Sequence, residues 1–156
     1  MKILLATDGS TFSDAAIDEI ARRPWPEGSE LKILFAAEPF IPPINETWVV
    51  PSDYYDEIER AADEQAREIV NKDADRLRAV IGERLPITAD ITYGNARQAI
   101  LNAAEAWGAD LIVVGSHGRT GLTRFLLGSV SQAVASHAKC SVEIVRAQNK
   151  PEANTD

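Results

Sequence analysis

Residues 115–132 read GSHGRTGLTRFLLGSVSQ and carry the spacing that most invites a chemical interpretation. Gly115 and Gly118 flank two residues, and nine residues after Gly118 comes Gly128, followed by Ser129. A bound phosphate needs several backbone N–H groups converging on one point. Glycine lets a chain turn through positive φ and lets backbone approach a ligand with no Cβ in the way. Where such a segment opens a helix, the first amides have no intrahelical acceptor, and the helix end carries partial positive charge. The same residues also allow a plainer interpretation. Glycines after a strand serve as turn residues, and Ser129-Val130-Ser131-Gln132 fits a capping box whose serine fills the donors a phosphate would use. Both remain open on spacing alone.

Other groups could contribute. Asp8, in Thr7-Asp8-Gly9-Ser10, either caps a turn or accepts hydrogen bonds from a ribose or an amino group; it could also help to hold Mg²⁺. His117 lies between two motif glycines, and its only possible histidine partner is His137, which makes a solvated loop residue the simpler expectation. Arg119 and Arg124 fall in the spacer, where they could neutralise phosphates, meet a partner subunit or stay in solvent. Trp48, Tyr54 and Tyr55 could cover a base or close an interface. Cys140 has no Cys-X-X-Cys partner and reads as a small hydrophobe.

The surrounding elements must place these groups. Residues 2–6, 31–37, 87–93, 110–115 and 141–146 are predicted strands, from continuous or alternating apolar runs. Residues 13–23, 57–81, 95–107 and 128–138 are predicted helices, from apolar residues at helical spacing bounded by Pro24, Gly82 and Gly108. Asn95 with Gln98 makes a capping-box pattern. Residues 40–56, rich in proline and aromatics, read as an irregular insertion within a loop spanning 38–56, and residues 147–156 as a disordered polar tail. The expected domain therefore spans 1–146. Strands alternating with amphipathic helices imply an α/β fold: one doubly wound, five-stranded, mostly parallel sheet with helices on both faces, of Rossmann-like or flavodoxin-like type. In such folds a ligand crevice opens beyond the carboxyl ends of the strands. That places Thr7-Asp8, Ala36-Ala37 and Gly115 onward around one space.

Bulk properties narrow the function. The 156 residues suit one domain, and a formal net charge of −8 disfavours nucleic acid and anionic membrane surfaces as partners. No stretch approaches ~20 apolar residues. One cysteine excludes an intrachain disulfide and suits a reducing, cytoplasmic setting. The opening MKILLATDGS does not read as a signal peptide. There is no GxxxxGK[ST] P-loop, no GxGxxG and no GxSxG elbow. A phosphorelay receiver would want an acceptor Asp after the third strand, where this chain has Tyr93-Gly94-Asn95.

Gly115, Gly118, Gly128 and Ser129 match every fixed position of G-x2-G-x9-G-[ST], the motif of the ATP-binding branch of the universal stress protein family, which the sequence resembles over roughly residues 1–146. ILLATDGS, YGNARQAI, FLLGSVS and the final SVEIVR resemble the family in their turn. The resemblance implies that Thr7 and Asp8 meet the adenosine end of ATP and that Ala37 contacts adenine through its backbone. Val114 and Gly115 would line the floor, and Gly118, Gly128, Ser129, Val130 and Ser131 would hold ribose and phosphates. It further implies a homodimer through residues 142–146 and a stress-response role without efficient catalysis. The turn Gly94-Asn95-Ala96-Arg97 departs from many members. Two rivals stand beside this expectation: a slow ATPase or nucleotidyl transferase using the same site, and a partner-binding module indifferent to nucleotide.

Overall fold

The apolar runs form five strands: β1 (Lys2–Thr7), β2 (Glu30–Ala37), β3 (Ile87–Tyr93), β4 (Leu111–Gly115) and β5 (Ser141–Val145). Among the described residues, four α-helices alternate with them: α1 (Thr11–Arg22), α2 (Ser52–Ile81), α3 (Ala96–Trp107) and α4 (Ser129–His137). The computed structural model describes residues 1–38, 52–118 and 126–147. The strands form one sheet in the order β3-β2-β1-β4-β5, and every neighbouring pair is parallel. The expected doubly wound α/β sheet is therefore the fold observed. Strand order reverses between β1 and β4, so the crevice of such a fold belongs at their carboxyl ends.

Side chains alternate across each strand and divide the core into two layers. Ile3, Leu5, Ile33 and Val113 face α1 and α2, against Ile17, Ile20, Val70 and Leu77. Leu4, Leu34, Ile112 and Val114 face α3 and α4, against Ile100, Ala104 and Val134. Ile3, Leu5, Ile33 and Leu77 are completely enclosed, and each such burial contributes roughly 1.5–3 kcal/mol.

Local signals set the element ends. Ser10 caps α1, its hydroxyl accepting the Ser13 N–H at 3.3 Å. Gly108, at φ 70°, closes α3 in the left-handed conformation that glycine adopts at least cost. Asn95 caps α3 by accepting the Arg97 N–H at 3.2 Å, but Gln98 turns to Asn102, so the expected capping box is only half made.

The long helix begins earlier than its apolar stripe predicts. Residues 52–56, expected within the irregular insertion, already belong to α2. Ser52 and Asp53 directly after Pro51 are a helix-start signal, which the cluster of prolines and aromatics obscures. Residues 39–51 and the tail from 148 onward lie outside the described residues. Among the described residues no helix is long and apolar enough to cross a membrane.

Candidate nucleotide site

The carboxyl ends of β1, β2 and β4, the mouth of α4 and the middle of α2 enclose a crevice of about 600 Å³, within the range of small-molecule sites. Thr7, Asp8, Ala37, Val114, Gly115, His117, Gly118, Gly128, Ser129, Val130 and Ser131 all line it. Arg119 and Arg124 lie outside the described residues, as does Trp48. The sequence motif and the strand-end residues, far apart in the chain, thus meet around one space.

The motif glycines owe their identity to close approach, not to positive φ. Glycines at positive φ are Gly9, Gly28, Gly82, Gly94 and Gly108, and none of Gly115, Gly118 or Gly128 is among them. A Cβ on Gly115 would sit 2.7 Å from the backbone carbonyl of Phe12 in α1. One on Gly128 would sit 3.1 Å from His117 Cα and 3.2 Å from Ser116 O. One on Gly118 would fall 2.9 Å from Asp8 Oδ2. Only the last contact belongs to a side chain that faces the crevice.

Ser116 O joins the two arms of the motif. It accepts the Gly128 N–H at 2.8 Å and lies 3.0 Å from Ser131 Oγ. Ser131 is buried, and its hydroxyl is also 2.9 Å from Gly128 O. The Gly128 amide and the Ser131 hydroxyl, groups of two residues expected to hold ribose and phosphates, are therefore engaged within the protein. What the arms leave at the crevice is the first turn of α4. Its N-cap is Gly128, with no side-chain cap, so the competing capping box does not form. Gln132 N–H is the first in the helix to find a helical carbonyl, Gly128 O at 2.9 Å. Helix geometry gives Ser129, Val130 and Ser131 no such acceptor.

His117 is not the solvated residue expected. Its Nδ1 lies 3.1 Å from Ser116 Oγ, and its ring packs 5.0 Å from that of Phe12. Its Nε2 is buried without a hydrogen-bond partner among the described residues.

Asp8 takes the turn-capping part foreseen for it and also stands on the crevice wall. Oδ1 accepts the Ser10 N–H at 3.0 Å, fixing the turn, while Oδ2 faces Gly118 across the crevice. Thr7 behaves differently. Its hydroxyl points beneath the sheet and donates to Asp73 Oδ2 of α2 at 2.7 Å. Asp73 is only 4% exposed, and burial pushes its carboxyl above the usual range. Sequence reasoning missed it. A signal existed: Asp73 falls four residues after Ile69 and four before Leu77, a charge on the apolar stripe.

At the end of β2, Ala36 and Ala37 both line the crevice. Ala37 O accepts the Gly94 N–H at 2.9 Å, on the β3 side. Successive residues of a strand turn their amides to opposite neighbours, so Ala36 faces the β1 side. There pairing stops at Thr7 opposite Phe35. Beyond that pair, Ala36, Ala37 and Glu38 continue along the crevice wall. Ala62 and Gln65 of α2 close the opposite wall. Tyr54 and Tyr55 pack edge to face at the start of the same helix, with centroids 6.4 Å apart. Cys140 is half-buried against the α3/α4 layer, as expected of a small hydrophobe.

Comparison with known proteins matches this arrangement to a family. The model of the universal stress protein family covers residues 1–146. The chain belongs to the universal stress protein family. Universal stress protein YxiE of Bacillus subtilis is 35% identical over 150 residues, spanning 93% of this chain and 98% of that protein. Among solved structures, that of hypothetical protein MJ0577 superimposes with a TM-score of 0.79 at 26% identity, covering 96% of this chain and 97% of the other. A universal stress protein solved in complex with cAMP superimposes with a TM-score of 0.68 at 25% identity, covering 95% and 98%.

Proposed function

We propose that this universal stress protein binds an adenine nucleotide, ATP among them, in the crevice, as a regulatory or stress-response protein. The observation that carries the proposal is the uncapped first turn of α4, opening onto a space of about 600 Å³ between the two glycine arms. Three amides there, Ser129, Val130 and Ser131, with the partial positive charge of the helix end, suit a phosphate. The base would lie against the backbone at the end of β2, at Ala36 and Ala37, and the ribose near Asp8. Asp8 is also the carboxylate that would face a Mg²⁺ accompanying the phosphates. The cAMP complex of a relative of the same fold supports the class of ligand.

Mass analysis of small molecules released from the gently denatured protein, with calorimetric titration by ATP, AMP and cAMP, tests this. The expected result is an adenine nucleotide carried or bound. Saturation by none of the three would count against it. Phosphate release measured on the same samples separates binding from slow hydrolysis.

We further propose that the chain acts as a homodimer through β5. Ser141 N–H and Val145 O bond towards β4, so the alternate residues Val142 and Ile144 direct their amides outward. The result is an open parallel-sheet edge that a second copy would cover.

A further inference from the structure

We propose that Asp73 is a positioning residue for the nucleotide site, setting the turn that carries Asp8 through the Thr7 hydroxyl; this rests on the nucleotide reading above. Thr7 has one hydroxyl proton and spends it on Asp73 Oδ2 at 2.7 Å. Its oxygen is thereby turned towards the Gly9 N–H, 3.3 Å away. Gly9, at φ 73°, is the pivot of the turn, and Ile69 of the same helix lies directly beneath it: a Cβ on Gly9 would meet Ile69 Cδ1 at 3.1 Å. Between Thr7 and Gly9 stands Asp8, with Oδ1 fixed by Ser10 and Oδ2 across from Gly118. A contact made inside the α2 layer thus sets the carboxylate on the crevice wall.

Packing alone gives no reason for a carboxylate at this position. Its neighbours on the buried stripe are Ala66, Val70, Ala74 and Leu77, and an apolar side chain would avoid the cost of burying charge. Among the described residues, the charged groups that act on Asp73 are Asp14 of α1 and Lys72 and Arg76 of α2. Arg76 is already engaged by Asp14 and Asp18. The specific partner left to Asp73 is Thr7.

The test compares D73A, D73N and the double variant T7V/D73L by calorimetric titration with ATP and cAMP, alongside thermal midpoints. D73A is expected to weaken nucleotide binding about tenfold, the scale of one lost hydrogen bond or a little more. D73N keeps an acceptor oxygen in place and should recover most of that loss. T7V/D73L leaves neither polar group unpaired and should regain thermal stability without regaining affinity, a separation that a purely structural Asp73 would not produce. Binding by the double variant as tight as wild type would overturn the proposal, and that variant carries the test should D73A fail to fold. If the wild type binds no nucleotide, it is the functional reading that fails. Positioning is then decided by amide exchange of Gly9 without ligand: faster in D73A and restored in D73N supports it, unchanged in D73A overturns it.

Discussion

Gly115 and Gly118 belong to one motif but answer to different neighbours, and substitution should separate them. A methyl on Gly115 meets rigid backbone of α1 at 2.7 Å. Gly115→Ala should cost about 1–3 kcal/mol of stability through overpacking, visible as a lowered denaturation midpoint. A methyl on Gly118 meets the Asp8 carboxylate at 2.9 Å, which can move, but only away from its place on the crevice wall. Gly118→Ala should leave stability within about 0.5 kcal/mol and weaken nucleotide binding roughly tenfold. Asp73 provides a second residue-scale prediction, with a sign. Burial raises its carboxyl, Asp14 adds to the effect, and the Thr7 hydroxyl with Lys72 and Arg76 opposes it. The native state therefore holds this proton more tightly than the unfolded chain. Its contribution to stability is full below the ordinary Asp range and is lost as pH rises through the raised native value. D73N lacks that titration, so its stability relative to wild type should grow as pH climbs above the ordinary Asp range. Denaturant curves at several pH values that run parallel for the two proteins would refute this.

At the scale of elements, α2 is a helix of two halves. From Ala66 onward it is anchored by Val70, Ala74, Leu77 and Ile81, whereas residues 54–65 include no buried side chain. The outer half still lines the crevice through Ala62 and Gln65. A side-chain bond ties it to β3, Tyr93 Oη donating to Asp63 Oδ1 at 2.7 Å. Tyr93→Phe should therefore speed amide exchange across residues 54–65 by roughly two- to fivefold, the scale of an exposed hydrogen bond, and leave exchange from residue 66 onward unchanged. Equal exchange throughout would show that the half-helix needs no such tie. Much at this scale was legible in the sequence. Continuous apolar runs such as LIVVG admit little besides a buried strand, and Gly108 marked the end of α3. The start of α2 was not legible, because propensity at residues 52–56 competes with the prolines just before them. Asp73 was hidden among the alternating charges of α2, where only its register against the apolar stripe distinguishes it from the solvated face.

For the whole molecule, strand order brought three distant segments to one crevice, and that convergence was foreseeable from topology. Which atoms point into it was not. Ala36 turns its backbone towards β1 and Ala37 towards β3, a division set by register. The Gly128 amide and Ser131 hydroxyl turn inward, because Ser116 O accepts from both arms. Assembly follows the same logic of open edges. Val142→Pro removes an outward amide of β5 without touching the bonds to β4, so it should shift sedimentation from dimer towards monomer with the fold intact. An unchanged dimer would place the interface elsewhere.

We propose that amides at the mouth of α4 hold the phosphates of a nucleotide. It is tested most directly by a titration of the isotopically labelled protein with ATP, followed residue by residue through the backbone amide resonances. The largest shifts should fall on Ser129, Val130 and Ser131, with smaller ones at Asp8, Ala36 and Gly118. Saturable binding that leaves those three amides unmoved would contradict it.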